Sequence, residues 1–123
     1  LDITPVPQLK KGNIMSKIHY YPNKGAITPW GNADSKEVIT NGVIFYSTPS
    51  HGGYRVSGNA KKHIPPEYRT KDGWYEEDCE AYIVIHFMPW LFNAEEFKRA
   101  VEVLRRYYPN NKIEEVRKQT QCL

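Results

Sequence analysis

The chain has 123 residues, a formal net charge of +3 and 13% aromatic content, with nine tyrosines and three tryptophans. That describes one domain, large enough to bury a core without staples and too aromatic for a disordered chain. The charge excess gives nucleic acid only weak support as a partner, and no apolar run nears the ~20 residues that span a bilayer, so no membrane role is expected.

Residues 1–14 hold two prolines, two lysines and a glycine without periodicity, and Met15-Ser16-Lys17 reads as an ordinary translation start. They are expected to be an arm or leader outside the fold, leaving 15–123 as a single α+β domain; no signal-peptide pattern opens the chain. Lys17–Tyr21 predicts a short strand, ended by the turn signal Pro22-Asn23-Lys24-Gly25. Asp34-Ser35-Lys36-Glu37 has capping-box spacing and predicts a short helix through Ile39. Gly42–Ser47 and Tyr54–Ser57 are rich in β-branched and aromatic residues and predict a hairpin whose loop carries His51. Pro65-Pro66-Glu67-Tyr68-Arg69 predicts a single helical turn.

Ala81–Met88 is apolar on both sides, the pattern of a central strand, and it carries the strongest strand signal of the chain. Farther on, Asn93 is a cap with Glu96 three positions later, and Phe97, Val101, Leu104 and Tyr108 mark one face of a helix over 94–108. Pro109 stops it, Asn110-Asn111 turns the chain, and Ile113–Gln119 predicts a second, more polar helix. The expected architecture is α+β: an antiparallel sheet with its central member at 81–87 and a C-terminal helix packed on one face.

Two dense clusters carry the chemistry. In Ser47-Thr48-Pro49-Ser50-His51-Gly52-Gly53, an imidazole stands among small residues. Imidazole serves as a general acid, a general base or a metal ligand near neutrality, and Gly52 and Gly53 can reach positive φ and turn free N–H groups toward an anion. The plainer alternative is a tight turn with His51 facing water. In Gly73-Trp74-Tyr75-Glu76-Glu77-Asp78-Cys79-Glu80, strand alternation puts Glu76, Asp78 and Glu80 on one face, with Glu77 and Cys79 on the other. Carboxylates at that spacing can raise one another's pKa or hold a divalent cation; beyond that cation no cofactor is expected. They can equally be a solvated strand end paired with Arg55 and Arg69. Asp78 is the hardest to dismiss, because it lies next to the apolar run.

Other residues take structural readings. Cys79 lies between two carboxylates, which argues against a reactive thiolate, and it is expected to be reduced, buried and inert. Two cysteines far apart, Cys79 and Cys122, are fewer than a secreted scaffold of this size carries, so a reducing cytosol is the expected compartment. The histidines and cysteines lack zinc-ligand spacing, so no metal is assigned to them. His86 reads as a satisfied core histidine, and His19 and His63 have no identifiable partners. Trp30, Trp74 and Tyr75 read as core anchors ahead of a base-stacking surface whose phosphates Arg55, Lys61, Lys62 and Arg69 would hold. Lys98, Arg99, Arg105 and Arg106, with Glu95, Glu96 and Glu102, read as a solvated helix face.

The candidate catalytic set is His51, Asp78 and Glu77, and the candidate ligand-binding set is Ser50, Gly52, Gly53, Arg55, Trp74 and Glu76. If the strands at 43–47 and 81–87 are adjacent and antiparallel, the end of the first lies beside the start of the second. The His51 loop then meets Glu76–Asp78 in one polar pocket, with Asp78 fixing the imidazole tautomer.

Gly42–Ile85 resembles an uncharacterised domain family of bacteriophage and plasmid genomes, carrying T-P-S-H-G-G and then W-[YF]-E-E-D-C ahead of an apolar strand. Thr48–Gly53 and Trp74–Cys79 match these blocks, and Trp30-Gly31 fits the upstream pattern. The resemblance implies a mobile-element origin and action inside a bacterial cell. Two functions are expected of such a chain. One is an accessory protein that binds a host or defence-system component, in counter-defence or host interaction, or a small anionic ligand. The other is a hydrolase or phosphoryl-group enzyme using His51 with Asp78 and Glu77.

Overall fold

The structure is a computed structural model that describes residues 20–22, 26–109 and 113–119. The leader at 1–14, His19 and the Asn110-Asn111 turn lie outside these residues. Seven strands are present among them: β1 (Tyr20–Pro22), β2 (Ile27–Thr28), β3 (Gly31–Asn32), β4 (Ser35–Thr40), β5 (Val43–Ser47), β6 (Gly52–Val56) and β7 (Trp74–Glu76). Three α-helices follow: α1 (Ala81–Phe87), α2 (Ala94–Tyr107) and α3 (Ile113–Gln119). Short 3-10 turns span Gly58–His63, Pro66–Tyr68 and Pro89–Leu91. The fold is α+β, with an antiparallel five-stranded sheet in the order β1-β4-β5-β6-β7 and a small β2–β3 hairpin beside it.

The β5–β6 hairpin forms as its composition dictates, with Ser47 opposite Gly52 and Val43 opposite Val56, and His51 ends its loop. The turn after Pro65 is also present. Asn93 accepts from the Glu96 N–H at 2.8 Å while Glu96 Oε1 accepts from the Asn93 N–H at 3.1 Å, a full capping box that starts α2 where its spacing predicts.

Two predicted elements are different in the structure. The helix expected over 34–39 is β4, which pairs with β1 on one side and β5 on the other. A capping-box spacing stabilises a helix only when enough helix follows; here Val38, Ile39 and Thr40 are β-branched and Asn41-Gly42 supplies a hairpin turn into β5. The strand expected at 81–87 is α1. Its Ala81, Ile83, Val84 and Ile85 are buried, while Tyr82 and His86, four apart, share the partly open side. A helix enclosed on nearly all sides shows no polar stripe, so a seven-residue apolar run fits either element.

Register divides the sheet into two faces. Phe45, Tyr54 and Tyr75 stand opposite one another on one face, and Tyr46, Gly53 and Glu76 on the other. The first face carries the core, where Val43, Val56 and Tyr75 meet Ile83, Val84 and Met88 of the α1 segment and Ala100 and Leu104 of α2. Burial of Ile83 and Ile85 is therefore as expected, inside a helix that packs on both β7 and α2.

Candidate functional site

The sheet brings the two clusters together by one pairing. β7 runs antiparallel to β6 with Gly53 opposite Glu76, so the end of β7 lies at the start of β6, immediately after His51. Convergence thus arises from β6 and β7, whereas the strand expected to deliver it is α1. Thr48 fixes the loop: its hydroxyl donates to the His51 carbonyl at 2.8 Å and accepts from the His51 N–H at 3.0 Å. The Thr48 N–H also donates to the His51 carbonyl, at 2.8 Å.

His51 Nδ1 lies 3.5 Å from Glu76 Oε2, with the imidazole 47% exposed and the carboxylate 23% exposed. That oxygen is shielded from solvent and has no hydrogen-bond partner among the described residues. The other, Oε1, accepts the Asp78 N–H at 3.0 Å. Burial, above all, pushes the Glu76 carboxyl up from 4.5 to about 7, and the neighbouring Asp78 and Glu80 charges add to it. Glu77 completes the group. One ligand atom from each of His51, Glu76 and Glu77 lies within 4.8 Å of the other two, a set that could hold a divalent cation.

Gly52 and Gly53 serve a different purpose from the one expected. Both lie within β6, and neither has positive φ. A Cβ on Gly53 would lie 2.4 Å from the Trp30 ring, and one on Gly52 would lie 3.1 Å from Glu77 Oε1. Gly53 therefore admits Trp30 onto the outer face of the sheet, and Gly52 leaves room for the Glu77 carboxylate. The free, anion-seeking N–H groups expected of this pair are replaced by strand backbone.

The remaining candidates divide. Asp78 is exposed and absent from the His51 group; its N–H steadies Glu76 instead. Ser50 is exposed in the loop. Trp74 is buried, edge-on to Trp30 at 5.5 Å and tilted against Tyr46 at 5.3 Å, and Arg55 sits over its ring at 5.3 Å. This is a packed anchor. Arg69 is bonded to the Ile64 carbonyl at 2.7 Å.

The carboxylate expected to be solvated or paired with Arg55 or Arg69 is met instead by an arginine that local sequence signals do not single out. Arg117 of α3 donates to both Glu80 oxygens, at 2.6 and 2.9 Å, and to the Trp74 carbonyl at 2.9 Å. Glu80 in turn accepts the Glu76 N–H at 3.1 Å, so the ion pair fastens β7 directly behind the site. Local signals stay silent because the partners are 37 residues apart. A buried Glu does, however, require a cation somewhere, and the more polar last helix is a natural source.

Two further expectations change. Cys79 is buried, as expected, at 1% exposure, but it is disulfide-bonded rather than reduced. The only other cysteine in the sequence is Cys122, which lies outside the described residues. His86 is not satisfied as expected: Nδ1 is buried without a hydrogen-bond partner among the described residues, its ring stacks on Phe97 at 5.5 Å, and burial lowers its pKa. No helix among the described residues is long and apolar enough to cross a membrane.

Residues 23–121 match a family model described as a domain of unknown function (DUF7007), and the chain belongs to that family. No curated protein and no solved structure matches it.

Proposed function

We propose that this family member is a small hydrolytic or phosphoryl-group enzyme whose proton-transfer pair is His51 and Glu76. The observation that carries the proposal is the shielded Glu76 oxygen, 3.5 Å from the imidazole and without a hydrogen bond among the described residues. A carboxyl that titrates near 7 beside an imidazole is matched to acid–base work at neutral pH. One member of the pair accepts the proton of the attacking water or hydroxyl, and the other, protonated, delivers one to the leaving group. Glu77 lies alongside as a charge that orients the reacting groups. Asp78 holds the Glu76 carboxylate through its backbone N–H.

The biological setting is an accessory role for a phage or plasmid, acting on a host or defence component inside a bacterial cell. Its support is the pair of motif blocks at Thr48–Gly53 and Trp74–Cys79. The disulfide at Cys79 removes the other support for a reducing compartment, the expectation of free thiols. A second reading, stoichiometric binding of the same host component, is favoured by a groove beside the cluster that Glu77 also lines.

The test is turnover on p-nitrophenyl acetate, p-nitrophenyl phosphate and an arginine p-nitroanilide, with and without chelator. The expected result is chelator-insensitive turnover that depends on a group near pH 7 and falls about 100-fold in His51→Ala and in Glu76→Gln. Turnover by both variants at the parent's rate would sink the enzyme reading. Activity in cells that scales only with excess protein would favour stoichiometric binding.

A further inference from the structure

Beside the His51 cluster, between the sheet face at Phe45 and Tyr54, α1 and the start of α2, lies a groove of about 410 Å³. Its charged lining is three carboxylates, Glu77, Glu95 and Glu96, against one guanidinium, Arg99. Phe45 and Tyr82 supply aromatic surface. Tyr54, edge-on to Phe45 at 4.9 Å, also lines the groove, and its hydroxyl is kept neutral by burial first and by Glu96 second. The volume is within the range of small-ligand sites.

We infer that this groove binds a guanidinium group, presented as an arginine side chain of a protein target. Charge complementarity selects the sign: three acidic residues and one basic residue favour a cation and repel phosphate. Ring chemistry selects the guanidinium, a planar and weakly hydrated cation that stacks on aromatic faces while donating in a fork to carboxylates. Glu77 is shared between groove and cluster, so an arginine held here places its own chain beside His51 and Glu76. The assignment rests on the proposed centre for its link to turnover and narrows its substrates from phosphoryl groups to basic polypeptides. Arginine binding itself is measured separately from turnover.

The experiment follows backbone amide NMR shifts of Tyr82 and Glu95 in the full chain. The probes are N-acetyl-arginine methylamide, its uncharged isostere N-acetyl-citrulline methylamide, free arginine and inorganic phosphate. The arginine amide should bind about tenfold more tightly than the citrulline amide, an effect of about 1.4 kcal/mol. Free arginine, whose own carboxylate meets the acidic wall, should bind more weakly than the amide, and phosphate should leave the shifts unchanged. Glu95→Arg should weaken the arginine amide about tenfold, and Arg99→Gln, which removes the resident cation, should tighten it about threefold. Glu95 and Arg99 are exposed, so thermal melts of both variants should match the parent. His51→Ala should bind the amide as the parent does; if it loses turnover too, both readings stand. Loss of turnover with no arginine preference would leave the enzyme and overturn the groove, and the converse would do the reverse. Equal binding of citrulline, displacement by phosphate, tighter binding of free arginine, or indifference to Glu95→Arg would each overturn the assignment.

Discussion

Glu76 and Glu80 are four residues apart at the same end of the sheet and have opposite fates. Glu80 is buried and fully engaged: both of its oxygens accept from Arg117, and one also accepts the Glu76 N–H. One oxygen of Glu76 is steadied by a backbone N–H, while the other is shielded, has no hydrogen-bond partner among the described residues and lies 3.5 Å from His51 Nδ1. A buried carboxylate whose needs are met is part of the frame. One left short of a hydrogen bond costs stability, which makes such a group a candidate for proton transfer or ligand binding.

The sharpest way to break this contrast is Arg117→Ala. It strands the Glu80 charge and releases the Trp74 carbonyl, and should cost about 3 kcal/mol in urea unfolding. A loss below about 1 kcal/mol would make the Glu80 pair ornamental.

Glu76→Gln should do the opposite. Its folded carboxyl titrates at about 7 against an ordinary 4.5, so the folded state holds the extra proton between those values. Stability therefore falls as pH rises from 4.5 through 7, and the full penalty is present above 7. The substitution removes that penalty: after allowance for screening at a partly open site, it should gain on the order of 1 kcal/mol at pH 8 and nothing below pH 4.5. Chemical denaturation at the two pH values measures it, and a loss at pH 8 would mean that the charge is well partnered.

Thr48→Ala removes the hydroxyl that both donates to and accepts from the His51 backbone. The expected cost is about 1 kcal/mol, together with a drop in kcat larger than any change in KM, because the loop no longer holds the imidazole in place. The smallest stability effect belongs to His51→Ala, within about 0.5 kcal/mol of the parent because the ring is half exposed. A larger loss would make His51 part of the frame.

Much of this contrast was legible from residue types. The hairpin around His51 and the capped α2 announce themselves through local chemistry, turn residues in one case and Asn93 with Glu96 in the other. The identity of α1 was not legible, since enclosure by sheet and helix erased the polar stripe that marks period. That error extended into the site. The expected pairing of a strand at 81–87 with 43–47 put Asp78 beside His51, whereas the chain leaves β7 at Glu76 and turns through residues 77–80 into α1. Glu76 was legible as a polar residue near the loop, but its role depends on which oxygen is shielded, a fact of packing. Arg117 depends on where α3 docks, and no short-range pattern encodes that.

The most direct measurement is the titration of the Glu76 side-chain carboxyl, followed by carbon-13 NMR in the folded protein. A midpoint near 7 is the result expected for a shielded carboxylate held beside His51, with no hydrogen bond to Oε2 among the described residues. A midpoint near 4.5 would show a carboxylate that solvent or a partner already satisfies, and the account of Glu76 as the working group would fail.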